Sequence, residues 1–146
     1  MRIYLDVCCL NRPFDDQSQE RIRLETEAVL SILNLCQIGE WELVKSEATE
    51  LEISKIPDDE KRLRVNILSS IAHSKIMIND EIIERATKIS LLKFDAFDAL
   101  HIACAEQSDA DVMLTTDDSL IQKSLQNKNS LKIKVENPVK WLMEVI

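Results

Sequence analysis

Hydrophobic positions fall into short apolar runs that alternate with longer stretches of helical spacing. The run Ile3-Tyr4-Leu5 predicts a strand over residues 2–7. Similar runs predict strands at 41–45 (WELVK), 75–78 (KIMI), 111–116 (DVMLTT) and 131–135 (LKIKV). Between them, apolar residues recur every three or four positions. Ile22, Val29, Leu30, Ile32, Leu33, Leu35 and Cys36 mark a helix over 20–38, which Gly39 should end. That helix has more apolar positions than one buried stripe needs, leaving some for a partner. Further helices are expected at 47–55 behind the cap Ser46, at 58–72 with an acidic first turn, and at 80–90 behind Asn79. Others follow at 95–107, at 117–126, and from Asn137-Pro138 onward. Residues 8–19, CCLNRPFDDQSQ, read as a polar loop punctuated by Pro13.

Strands alternating with helices imply an α/β chain: a three-layer α/β/α sandwich with a central, mostly parallel sheet of about five strands. One glycine and three prolines argue against a many-turned β-sandwich. With 146 residues and no repeat or linker, one domain over 1–146 is expected, large enough to bury a core without staples. In such sheets, sites lie at the C-terminal ends of the strands.

Charge narrows the function. A net charge of −8 suits non-specific nucleic-acid binding poorly, because that affinity comes from Lys and Arg on phosphates. An acidic metal site with a basic rim remains compatible, and so does docking to a basic partner. The four cysteines form no C-x-x-C pair and His73 lies far from His101, which argues against a zinc cluster. Cys36 and Cys104 read as small buried hydrophobes. No apolar run approaches the ~20 residues of a membrane span, and Met1-Arg2 leads directly into a short strand without the apolar core of a secretory signal. A cytoplasmic protein with reduced thiols is expected.

The candidate chemistry lies in the acids. Asp6 ends the first predicted strand and Asp117 follows the fourth; Asp98 interrupts an otherwise apolar helix. Glu50 and Glu52 lie on the helix after the second strand. Gathered carboxylates raise one another's pKa, and a hard divalent cation relieves them. Each acid alone has a plainer reading. Asp6 and Asp117 suit turns or caps, Glu50 and Glu52 a solvated face, and Asp95-Asp98-His101 a polar stripe turned to water.

Three stretches, IYLDVCCLN, FDALHIACA and DADVMLTTDDSLI, together resemble the PIN domain, over essentially the whole chain. The resemblance implies an α/β/α nuclease that binds Mg²⁺ or Mn²⁺ through three or four acids and hydrolyses RNA phosphodiesters. Many single-domain bacterial members are VapC-type toxins held inactive by a small antitoxin, and homodimers are common. Carried over, Asp6 is the first acid, Asp98 belongs to D-A-L-H and Asp117 to T-x-D, with Thr115 supporting the site from behind. The second acid is Glu52, in Glu52-Ile53, with Glu50-Leu51 as competitor. The two point roughly 200° apart on a helix, so only one can face Asp6. One or two ions would be held, with no protein nucleophile. Arg12, Arg21, Arg23, Lys45, Lys55, Lys61, Arg62 and Arg64 are the candidates for meeting RNA.

Rival readings are weaker. A haloacid-dehalogenase-type phosphatase needs a second Asp two residues after the first, where this chain has Cys8. Cysteine chemistry at Cys8 or Cys9 would need a histidine brought close in space, such as His101. A binding module on the PIN fold without nuclease activity fits the acidic charge but not the retention of all four acids.

Overall fold

The computed structural model describes residues 1–146. Five strands, β1 (Arg2–Leu5), β2 (Glu42–Ser46), β3 (Ser74–Ile76), β4 (Val112–Leu114) and β5 (Lys134–Glu136), pair in parallel in the order β3-β2-β1-β4-β5. The register places Ile3 opposite Leu43 on one side and Val112 on the other. The helices are α1 (Val7–Asn11), α2 (Glu20–Gln37), α3 (Glu47–Ser54), α4 (Asp59–Ser69), α5 (Asp80–Ser90), α6 (Ala96–Gln107), α7 (Asp118–Gln126) and α8 (Pro138–Val145). None is long and apolar enough to cross a membrane.

Side-chain alternation in the strands builds the layers. Ile3, Leu5, Val112 and Leu114 point to one face, where they pack with Val29 and Ile32 of α2, Val65 of α4 and Trp141 of α8. Tyr4 and Met113 point the other way, onto Ile82 and Ile89 of α5, Ile102 of α6 and Leu120 of α7. The expected α/β/α sandwich is present, and its sheet is wholly parallel. The chain leaves β1 toward β2 in one direction and returns to place β4 on β1's other side. The β1/β4 junction is therefore the topological switch point, the place where open α/β sheets form crevices.

Several local expectations change. Residues 8–19 are not simply a loop: α1 starts behind Asp6, and a 3₁₀ turn follows at Arg12–Phe14 with Pro13 inside it. The buried trio Val7, Cys9 and Leu10 makes α1 amphipathic over little more than one turn, too short for a periodic signal. The last strand lies at 134–136, not 131–135. β4 offers only three residues for pairing, and 134–136 are the ones in register, while Leu131 and Ile133 still bury against the core. The end of α2 follows expectation: Ile38 caps it and Gly39 takes φ +86°, a left-handed conformation that costs glycine little.

Candidate metal centre

Asp6 is fixed by its place in the chain. Its backbone N–H donates to Leu114 O at the end of β4, and its Oδ1 accepts the Val7 N–H that opens α1, at 2.9 Å. Its Oδ2 accepts from Thr115 Oγ1 at 2.8 Å and from Cys8 Sγ at 3.5 Å. Asp6 is buried, and none of these donors is charged. Burial pushes its carboxyl up, the neighbouring Glu52 adds to the rise, and His101 and the Thr115 hydroxyl offset part of it.

Thr115 is fully buried and ties two of the acids together. Its hydroxyl donates to Asp6 and accepts the backbone N–H of Asp117 at 3.2 Å. Asp117 is the N-cap of α7, where Oδ1 accepts from Ser119 N and Leu120 N. The cap reading and the site reading are thus compatible, since Oδ2 stays outside the cap. Asp98 lies in the first turn of α6, half-buried. Burial pushes its carboxyl up to about 6, and the charges of Asp6, Asp95 and Asp117 add to this. That coupling places Asp98 within electrostatic reach of both strand-end aspartates.

Two expectations separate here. Glu52 Oε1 lies 2.8 Å from His101 Nε2, and one donor atom each from Asp6, Glu52 and His101 fall within 4.8 Å of one another. Glu50 turns away, to Lys75 at 2.9 Å and Lys45 at 3.4 Å, and Lys75 holds its carboxyl below the usual range. The structure therefore brings Glu52, not Glu50, beside Asp6. The solvent-stripe reading of α6 fails at His101, which is only 1% exposed; Asp95 alone faces water, as the helix cap.

The sequence reading missed the hydroxyls beneath the acids. Tyr4 Oη lies 2.7 Å from His101 Nδ1 and 2.6 Å from Ser46 Oγ. A signal existed: Tyr4 shares a strand face with Asp6 by the period of two, and Ser46 ends the neighbouring strand. Cysteine chemistry finds no support. Both His101 nitrogens are engaged elsewhere, and Cys9 is sealed inside, its thiol pushed well up by burial.

Most of the basic residues considered for substrate already have partners. Arg12 pairs with Glu25 and Asp15, Arg21 with Glu25 and Asp118, Lys61 with Asp15, Arg62 with Asp59 and Arg64 with Glu60. Lys55 instead lies over the Phe97 ring, 5.4 Å from its centroid, one residue from Asp98.

The donor atoms that converge are two carboxylates and a histidine, from Asp6, Glu52 and His101; Asp98 and Asp117 lie outside that group, and no Lys or Arg pairs with Asp6, Asp98 or Asp117. Two carboxylates with no basic partner suit a divalent cation. The model of the PIN domain matches residues 3–124. The chain belongs to the PIN domain family. Among solved structures, this PIN domain is similar to VapBC2 from Rickettsia felis bound to a DNA fragment from their promoter. The TM-score is 0.62 at 13% identity, covering 94% of this chain and 98% of the other. It is also similar to VapBC-1 from nontypeable Haemophilus influenzae, with TM-score 0.59 and 18% identity over the same shares. At such identities the likeness is one of fold. No curated protein matches this PIN domain significantly.

Proposed function

We propose that this PIN domain is a divalent-metal-dependent endoribonuclease, acting as the toxin of a toxin–antitoxin pair. The observation that carries the reading is the pair Asp6 and Asp98, carboxyls pushed up by burial, with His101 offsetting only part of the rise and no Lys or Arg paired to either. A fold gains nothing from such a pair, because a buried charge without a counter-charge destabilises it. Asp6, Glu52, Asp98 and Asp117 would hold Mg²⁺ or Mn²⁺, and Thr115 would keep Asp6 aimed. Bound there, the ion would lower the pKa of a water and neutralise phosphate charge. Lys55 at the rim would meet the RNA backbone.

The antitoxin rests on family resemblance, and both similar structures are VapBC assemblies by description. Leu24 and Leu30 of α2, 48% and 44% exposed, provide apolar surface for such a partner. A homodimer is proposed on the same family grounds, and light scattering would test it.

The deciding experiment is cleavage of a mixed single-stranded RNA pool with Mn²⁺, with Mg²⁺ and with EDTA, beside Asp98→Asn. Metal-dependent cleavage lost in the variant supports the nuclease. Absence of both cleavage and Mn²⁺ binding by calorimetry would leave a binding module on the same fold.

A further inference from the structure

His101 is a buried histidine that the nuclease reading does not use. Its ring is held on two sides, edge-on to Tyr4 (centroids 5.8 Å apart, planes at 68°) and tilted on Phe97 (5.2 Å, 52°). Both nitrogens have partners: Nδ1 meets Tyr4 Oη at 2.7 Å and Nε2 meets Glu52 Oε1 at 2.8 Å. Neither nitrogen is left free for an ion.

The donors can be ordered from one end. An ionised Glu52 only accepts, so Nε2 carries a hydrogen. In the neutral ring Nδ1 then accepts, and the Tyr4 hydroxyl donates to it. Having given its one proton, Tyr4 accepts from Ser46 Oγ, 2.6 Å away. Ser46 Oγ also accepts the Thr49 N–H at 3.2 Å, as the cap of α3. The chain of hydrogen bonds begins at the helix that carries Glu52 and ends on the Glu52 side chain. Glu52, 37% exposed, has no other side-chain partner to select its rotamer.

We infer that His101 is a positioning residue: its Nε2–H, oriented by Tyr4 and Ser46, pins the Glu52 carboxylate toward Asp6 so that the two bind one divalent ion. This rests on the nuclease reading for the ion, but not for the hydrogen-bond order. Outer partners that orient a ligating carboxylate typically contribute 10- to 100-fold in metal affinity.

The test combines Mn²⁺ calorimetry, RNA cleavage and ¹⁵N NMR of the histidine ring. Wild-type His101 is expected to carry its hydrogen on Nε2. His101→Ala should weaken Mn²⁺ binding about 10- to 100-fold. His101→Gln, which keeps an N–H donor at similar reach, should recover most of that, and Tyr4→Phe should lose less than His101→Ala. The double variant Glu52→Gln/His101→Ala should be no weaker than Glu52→Gln alone, because the histidine acts through the glutamate. A merely structural role would instead add the two losses and would not be rescued by Gln. The inference is overturned by a bare Nε2, by additive losses, or by a folded His101→Ala that binds Mn²⁺ like wild type. If wild type binds no Mn²⁺ and cleaves nothing, the nuclease reading falls. The ring ¹⁵N signals and the mobility of the Glu52 side chain in His101→Ala then still decide whether His101 pins Glu52.

Discussion

Two carboxylates are buried at the same end of the molecule, and they are treated oppositely. Glu25, 1% exposed on α2, receives Arg12 Nε at 2.8 Å, Arg21 Nε at 3.3 Å and Asn137 Nδ2 at 2.7 Å. Asp6, 7% exposed, receives a backbone N–H, a hydroxyl and a thiol. Glu25 is neutralised within the fold and joins α2, the 3₁₀ turn and the start of α8. Asp6 is oriented by its donors but not neutralised. Burial alone therefore does not show whether an acid is neutralised within the fold; the presence or absence of a Lys or Arg partner does.

The largest effect that would sharpen this contrast is on the unneutralised side. Asp6→Asn and Asp98→Asn should each lower RNA cleavage by about 10²–10³-fold, in line with losing one preorganised electrostatic group. Neither should lower thermal stability, because each removes a repulsive charge. Wild-type rates in Asp98→Asn would break the comparison. On the neutralised side, Glu25→Ala should cost about 3 kcal/mol in urea unfolding, the low end for breaking a buried pair because Arg21 is half exposed. Its Mn²⁺ binding should persist.

A smaller effect concerns pH. The Asp98 carboxyl is held at about 6 in the fold against an ordinary 3.8, so the folded state keeps this proton longer than the unfolded chain. Its stabilising contribution is complete below pH 3.8 and is lost as pH rises through about 6. Metal-free protein should therefore lose about 1–2 kcal/mol over that window, after allowing for solvent screening at a half-buried group. Asp98→Asn should flatten the slope, and Mn²⁺ at neutral pH should reverse the loss; melting curves across the window would read both. The smallest effect is expected at Glu50→Gln. Glu50 is an exposed partner of Lys45 and Lys75, so the change should cost under ~1 kcal/mol and leave cleavage unchanged. A Glu50→Gln variant that lost cleavage would reopen the choice between the two glutamates.

The layered fold and three of the candidate acids could be read from the chain because they follow from local rules. Apolar runs marked the strands, and strand ends pointed to Asp6 and Asp117. Asp98 stood out in a helix with little polar surface. What could not be read depends on neighbours distant in sequence. Glu52 and Glu50 differ only in what lies opposite them: His101 from α6 in one case, and lysines from β2 and β3 in the other. Glu25 sits in a run of charged residues that looks solvated, and its partner Asn137 is 112 positions away. His101 showed helical spacing with Asp98, but its burial depended on Tyr4 and Phe97 closing over it.

The hydrogen bond from Thr115 to Asp6 spans 109 positions. On a ribosome, β1, β2 and β3 can pair while β4 is still unmade, because the chain emerges N-terminus first. Contacts this distant in sequence close late and slowly. Asp6 therefore waits through most of synthesis with one edge of its strand bare, and its Thr115 donor and the neighbouring Asp117 are in place only when β4 slots in beside it. The last strand to pair with β1 and the last support of Asp6 therefore arrive together, so a half-made or truncated chain lacks the finished cluster.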